Sequence, residues 1–244
     1  MKRAILSDIH ANLEALEAVL GAAGDYDHAL VLGDLVGYGA NPDEVIERVR
    51  ALPSATMIRG NHDKVATGLE TVESFNHLAR FAIQWTAAKL TADNRAWLAA
   101  LPAGPTEIDP LLEICHGSPF DEDVYIFDDL DGRRAFNVMT RPVCLFGHTH
   151  VPAAFRLDGE MEAVGPPRGD RFQLTLDPEA SYLVNCGAVG QPRDGDPRAA
   201  YGLIDVEART LTVLRVPYDV AAAQAKIVEA GLPDVLAHRL AIGR

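Results

Sequence analysis

The stretch RAILSDIHANLEALEAVLGAAG, residues 3–24, decides the fold. Residues 3 to 6 are an apolar run that ends at Ser7 and Asp8, as a fully buried strand does. Leu13, Leu16, Val19 and Leu20 then recur at helical spacing, which predicts an amphipathic helix over 13–23 with Gly24 as its terminator. Residues 28–32 predict a second strand, followed by a glycine-rich loop. Pro42 opens a helix through about Ala51, in the first turn that proline favours. Residues 55–58 predict a third strand. This βαβαβ order implies a parallel sheet with right-handed crossovers.

The polar ending of the first run returns along the chain. Asp8 and His10 lie in LSDIH (6–10), Asp34 in LVLGDLVGYG (30–39), and Asn61 and His62 in MIRGNHD (57–63). His116 lies in EICHGSP (113–119), and His148 and His150 in LFGHTH (145–150). An open α/β sheet places its chemistry at the carboxyl ends of its strands. Five such ends on one sheet would bring these side chains to one edge.

Between the third and fourth motifs, residues 64–104 predict a helical insertion. Phe75, Leu78, Ala82 and Trp85 share one face, and Thr91 caps a second helix carrying Trp97 and Leu98. Both tryptophans read as core anchors. Residues 111–115 and 143–146 predict buried strands, with a helix near 131–139 between them. Beyond His150, segments at 153–157, 161–164, 171–176, 181–185, 200–204 and 211–216 predict antiparallel meanders. Asp219 caps a helix through Ala230, Gly231-Leu232-Pro233 stops it, and Pro233 starts a short terminal helix. No repeat or linker interrupts residues 1–244, so one continuous domain is expected.

The chain has 244 residues, 48% hydrophobic and 23% charged, an ordinary balance for a soluble globular protein. Its formal net charge of −13 makes it a poor non-specific partner for a nucleic-acid polymer. Cys115, Cys144 and Cys186 are odd in number and form no CxxC, which argues against a disulfide framework or a zinc knuckle. Cys115 and Cys144 read as small buried hydrophobes. The N-terminus lacks a signal-peptide core, and no apolar stretch approaches the ~20 residues of a membrane span. A cytoplasmic protein without membrane association is expected.

A lone Asp-x-His is commonly a surface turn. At a strand end, however, residues i and i+2 point to one side and can grip one cation. His148 and His150 repeat that spacing. Asp34, in its glycine-flanked loop, can bridge two cations, and Asn61 and His116 add an oxygen and a nitrogen. Nitrogen and oxygen donors without thiolate suit Mn, Fe, Zn, Co or Ni rather than a structural zinc cluster. Seven ligands exceed one open site and divide into two that share Asp34. Two cations about 3.5–4 Å apart clamp a phosphoryl displacement and lower the pKa of water. His62, left over, is placed to protonate a leaving alkoxide. His28 and His238 read as surface residues. His77 reads as structural, with substrate contact as the alternative.

The ordered set Asp-x-His, Gly-Asp, Gly-Asn-His-Asp, His and Gly-His-Thr-His resembles the calcineurin-like metallophosphoesterases. The later segment NCGAVGQPRDGDPRAAY (185–201) is similar to their small bacterial and archaeal phosphodiesterase branch. The resemblance implies a four-layer α-β-β-α sandwich of two mixed sheets flanked by helices. It also implies a first metal on Asp8, His10, Asp34 and His150, a second on Asp34, Asn61, His116 and His148, and His62 as general acid. Manganese is the metal expected to support activity.

The chain departs from the protein-phosphatase pattern Gly-Asp-x-x-Asp-Arg-Gly, because Gly37 and Tyr38 replace the Asp-Arg pair. That favours a phosphodiesterase acting on a small phosphoester. A nucleotide phosphatase or dinucleoside polyphosphate hydrolase is the alternative, and a non-catalytic scaffold the third. Where small members read Asn-x-Gly-Ser, Cys186 and Ala188 intervene. Arg193 is either a phosphate clamp or a structural partner of Asp194 or Asp196. Asn12 and Tyr38, beside ligand motifs, are further candidate substrate contacts.

Overall fold

The first strand, β1 (Lys2–Leu6), buries every side chain from Arg3 to Leu6. The computed structural model describes residues 1–164 and 169–244. Helix α1 (Leu13–Ala22) starts where the Asn12 side chain accepts a hydrogen bond from the Ala15 amide. Then come β2 (His28–Val31), α2 (Pro42–Arg50) with proline in its first turn, and β3 (Ala55–Met57). The expected insertion resolves into α3 (Asn61–Thr67), α4 (His77–Lys89) and α5 (Ala92–Ala99). It therefore begins earlier than residue 64, inside the third motif.

Strand β4 (Thr106–Glu107), two residues long, was not legible in the sequence. After it come β5 (Leu112–Ile114), α6 (Asp129–Phe136) and β6 (Val143–Phe146). The meanders are β7 (Ala153–Asp158), β8 (Glu160–Ala163), β9 (Arg171–Thr175), β10 (Ser181–Asn185), β11 (Ala199–Asp205) and β12 (Thr210–Val216). Asp219 caps α7 (Val220–Glu229), and Pro233 precedes α8 (Asp234–Ile242).

These strands make two six-stranded mixed sheets, in the orders β3-β2-β1-β11-β12-β9 and β4-β5-β6-β10-β7-β8. The single sheet expected to carry all five motifs is thus corrected. β1, β2 and β3 lie in the first sheet, while β5 and β6 lie in the second. Each sheet has a parallel centre, β3-β2-β1 or β5-β6-β10, continued by antiparallel strands.

Alternation along the strands builds the layers. Ile5 and Leu30 face Val143, Leu145, Tyr182 and Val184 between the sheets. Leu6 and Val31 point outward, to Leu16 and Val19 of α1 and to Val45 and Val49 of α2. On the far side, Cys144, Phe146 and Leu183 pack with Ala135 of α6. The result is the expected α-β-β-α sandwich. A one-residue slip of any central strand would exchange its two buried faces, so packing fixes the register.

A further cluster joins Ala79 and Ala82 of α4 to Ile227 of α7 and Leu236 of α8, beside Tyr38. The insertion and the C-terminal helices therefore meet next to the second motif. Trp85 is half-buried against this cluster and donates to the Ala230 carbonyl at 3.1 Å. Trp97 packs at the edge of the α1–α2 layer. Among the described residues, no helix is long and apolar enough to cross a membrane.

Candidate metal centre

The motif residues meet where the strands of both sheets end. Their backbone is unusual. Asp8, His10, Ala11, Asp34, Tyr38, His148 and His150 all have φ between 49° and 65°. The left-handed region is disfavoured for residues with a side chain, by roughly 1–2 kcal/mol each. The expectation that Asp8 and His10 converge through the pleat of an extended strand is therefore corrected. Tight left-handed turns beyond the strand turn them inward.

Asn61 and His62 arrive differently, in the first turn of α3. Gly60 caps that helix, and its amide donates to Asp63 Oδ2 at 3.0 Å. Glycine is required there by close approach, because a Cβ would stand 2.2 Å from Asp34 Oδ1 and 2.7 Å from His116 Cε1. Asp63 also accepts from the Val36 amide at 3.1 Å, which ties the second motif to α3.

Two groups of donors form around one carboxylate. Ligand atoms of Asp8, His10, Asp34 and His150 lie within 4.8 Å of one another, as do those of Asp34, His116 and His148. Asp34 Oδ2 is 3.5 Å from His10 Nε2 and 3.4 Å from His116 Nε2. Asp8 Oδ1 is 3.4 Å from His150 Nε2, and Asn61 Oδ1 is 3.2 Å from His116 Nε2.

Outer contacts aim the rings. Nδ1 of His10, His116 and His150 contacts the carbonyls of Val36, Leu32 and Gln191 at 3.0, 2.8 and 2.6 Å. A carbonyl only accepts, so each Nδ1 donates and each Nε2 turns into the centre, where it offers a lone pair when the ring is neutral. His148 is reversed: its Nε2 donates to the Asp123 carbonyl at 3.2 Å, which leaves Nδ1 as its donor atom for a cation. Asp8 is held by Ser7 Oγ at 2.7 Å and by the His148 amide at 3.1 Å.

This arrangement fits divalent cations. Asp34 Oδ2 is buried and has no hydrogen-bond partner. The His10 and His150 Nε2 atoms stand 3.1 Å apart, with lone pairs facing when both rings are neutral. Positive charge between such groups relieves both defects.

The titration behaviour of the groups agrees. Burial pushes Asp8 up to about 6, with His116 opposing. Burial also opposes ionisation of Asp34, but the facing His116, His62 and His10 outweigh it and hold Asp34 well below the ordinary carboxylate range. Burial works against a proton on His116 as well, yet Asp34 lifts it to about 10. Burial takes His10 down to about 4 and His62 and His148 to about 3.

The remaining expected residues divide. His62 donates its backbone amide to Asp34 Oδ1 at 2.9 Å, while its Nδ1 is buried without a partner. Its ring lies between Tyr38 and Phe75, with centroids at 4.5 and 4.7 Å. Asn12 is buried and engaged within the fold. Its oxygen caps α1, and its nitrogen donates to the Gly190 carbonyl at 2.8 Å and to Tyr218 Oη at 3.3 Å. Arg193 pairs with neither nearby carboxylate, since Asp194 is taken by Arg215 and Asp196 by Arg198. Its guanidinium donates to Gln191 Oε1 at 3.0 Å and lies 5.6 Å from the Tyr38 ring centroid. His77 and His238 are exposed, and His28 is partly so, bonded to Ser54 and Thr56.

Sequence reading missed Tyr125, whose ring stacks on His148 at 3.8 Å, and Phe127, stacked on Tyr125 at 4.8 Å. Their aromatic i, i+2 spacing was the available signal. It also missed Lys64, which is buried and pairs with Glu70 at 2.5 Å and Asp123 at 2.6 Å. That lysine ties α3 to the loop whose carbonyl holds His148.

Comparison with known proteins places these features in context. The profile of the calcineurin-like phosphoesterase superfamily domain matches residues 1–209. The chain is 35% identical to uncharacterized protein MJ0912 of Methanocaldococcus jannaschii, over 99% of this chain and 98% of that one. A metallophosphoesterase from Sphaerobacter thermophilus superposes with a TM-score of 0.88 at 41% identity, covering 100% of this chain and 99% of that chain. Hypothetical protein PH1004 of Pyrococcus horikoshii shares the fold, with a TM-score of 0.80 at 21% identity and coverage of 100% and 98%.

Proton release tests the electrostatics of the centre. At pH 8, His116 is protonated and Asp8 ionised, so a cation entering beside Asp34 must displace the His116 proton. Manganese titrated into metal-free protein should release about one proton, read as a dependence of the apparent heat on buffer ionisation enthalpy. Heats independent of the buffer would show that His116 is neutral in the metal-free protein.

Proposed function

This chain belongs to the calcineurin-like phosphoesterase superfamily, and from that premise we propose that it is a dinuclear metal-dependent phosphodiesterase. The observation that carries the dinuclear reading is Asp34, one buried carboxylate common to both donor groups. Asp8, His10, Asp34 and His150 would hold one cation, and Asp34, Asn61, His116 and His148 the other. Bound divalent cations would neutralise phosphoryl oxygens and lower the pKa of water, supplying a nucleophile near neutrality. Manganese suits this donor set, as do Fe, Zn, Co and Ni. The free cysteines fit a reducing cytoplasm.

His62 stands beside the ligands without joining either group. Burial keeps its ring neutral, and the anionic charge of an arriving phosphoester raises its hold on a proton. It is thereby placed to deliver that proton to a leaving alkoxide. Gly37 supports the preference for diesters. Its φ is +91°, and a Cβ there would stand 2.4 Å from His62 Nδ1. No carboxylate side chain fits at that position against this ring, and Tyr38 supplies no guanidinium for a monoester. One domain spanning 1–244 follows as part of the same proposal.

Asp34→Asn should lose activity by more than the roughly 10–100-fold that follows loss of a contact behind the ligands. The melting temperature of the metal-free protein should change little. Activity near wild type with manganese supplied would overturn the bridging role. For the wild type, kcat/KM should be higher on a bis-aryl phosphate than on a phosphoserine peptide, and the opposite order would reverse the preference for diesters.

His62→Asn should reduce turnover by roughly 10²–10⁴ for alkoxide leaving groups. It should have little effect with nitrophenolate, which departs without a proton, and the metal content should be unchanged. A uniform loss across leaving groups, or one that tracks metal depletion, would exclude His62 as the acid.

A further inference from the structure

We propose that a second anion site, formed by Arg193, Arg239 and Arg244, lies beside the metal centre and takes a further phosphate of the substrate. The inference rests on the phosphoesterase reading above and narrows its substrate to esters that carry more than one phosphate.

The three arginines line one cleft of about 580 Å³. Tyr38, Asn76 and Tyr125 line it too, and the same three side chains line a second cleft of about 190 Å³ that reaches Asn61, His62 and His148. The two clefts therefore adjoin as one groove, with proposed ligands lining the smaller part and the arginines lining the larger. The larger part falls within the size range of nucleotide-sized ligand sites.

The arginines have no carboxylate partner among the described residues. That is unexpected in a chain of net charge −13, where acidic groups are plentiful. Asp194 borders the cleft but is held by Arg215. A guanidinium has five donors in a planar fork that suits phosphate oxygens. Arg193 spends one of its groups on Gln191 Oε1 at 3.0 Å, and that contact orients the rest.

The backbone builds the site from distant segments. The Arg193 amide donates to the His150 carbonyl at 3.2 Å, which sets this loop directly on a ligand motif. The end of α8 docks on the same loop through Gly195 N to Gly243 O at 2.9 Å. Gly243 has φ +62°, and a Cβ there would lie 2.6 Å from the Asp196 amide nitrogen. This contact brings the end of α8 to the loop that carries Arg193, and all three arginines line the cleft. Favourable placement at the carboxyl end of α8 explains two of the arginines. It leaves the convergence of the third unexplained.

The test compares two chromogenic diesters with the same leaving group, thymidine 5′-(p-nitrophenyl phosphate) with and without a 3′-phosphate. In the manganese-loaded wild type, the added phosphate should raise kcat/KM about tenfold or more, chiefly through KM. In Arg239→Gln/Arg244→Gln that advantage should fall by about tenfold. Equal kcat/KM for the two esters in the wild type would overturn the proposal, as would an advantage retained in the variant. Either result would leave the arginines to a free anion or to the helix end.

A second arm does not need turnover. Pyrophosphate titrated into metal-free protein should bind the double variant at least about tenfold more weakly than the wild type. Equal or absent binding overturns the anion site. Failure of the wild type to cleave either ester refutes the phosphodiesterase reading instead, and the pyrophosphate result then decides the site alone.

Discussion

One buried oxygen, Asp34 Oδ2, sets the requirement that the rest of the centre meets. It has no hydrogen-bond donor, and imidazoles lie on both sides of it, at 3.4 and 3.5 Å. An ionised carboxylate left in that state costs several kcal/mol. The surroundings answer with positive charge: a proton on His116 when no cation is present, and divalent cations when they are bound. Four imidazoles, each fixed by a backbone carbonyl, face the centre from several directions. Gly60 leaves room for that carboxylate to come close.

Holding these groups takes conformational strain. Five of the seven proposed ligands sit at positive φ, as do Ala11 and Tyr38. Strained backbone persists only where its surroundings over-determine it. Here the surroundings are the dry layer between the sheets and the two helical layers outside them. Fold and site are linked in this way: rigid strands hold the turns, and the turns hold the ligands. The helices of the insertion and the C-terminus complete the wall on the open side, where Phe75 and Tyr38 bracket His62.

Much of this was legible in the chain because buried parallel strands leave a clear trace. Apolar runs of Ile, Leu and Val that end in Asp, His or Gly marked β1, β2 and β6 and named the ligand positions. Periodicity does not report which sheet a strand joins: family resemblance implied two sheets, but only the structure divides the motifs between them. The left-handed turns were hidden too, because the preference of Asp and His for positive φ is far weaker than that of glycine. Asn12 has a local role that its position beside a ligand motif did not announce: its side-chain oxygen caps α1 and its nitrogen donates to the Gly190 carbonyl. Arg239 and Arg244 lie some distance along the chain from Arg193 and read as ordinary charges near a helix end. Only tertiary docking brings them together.

In the proposed reading the groove has a direction, with chemistry at Asp34 and recognition at the arginines beside it. The chemistry proposed for this centre depends on two cations sharing one carboxylate. Anomalous diffraction from crystals grown with manganese tests that sharing most directly. Two peaks should flank Asp34, one against Asp8, His10 and His150 and the other against Asn61, His116 and His148. A single fully occupied peak with Asp34 turned away, or two peaks that Asp34 does not touch, would contradict the shared centre.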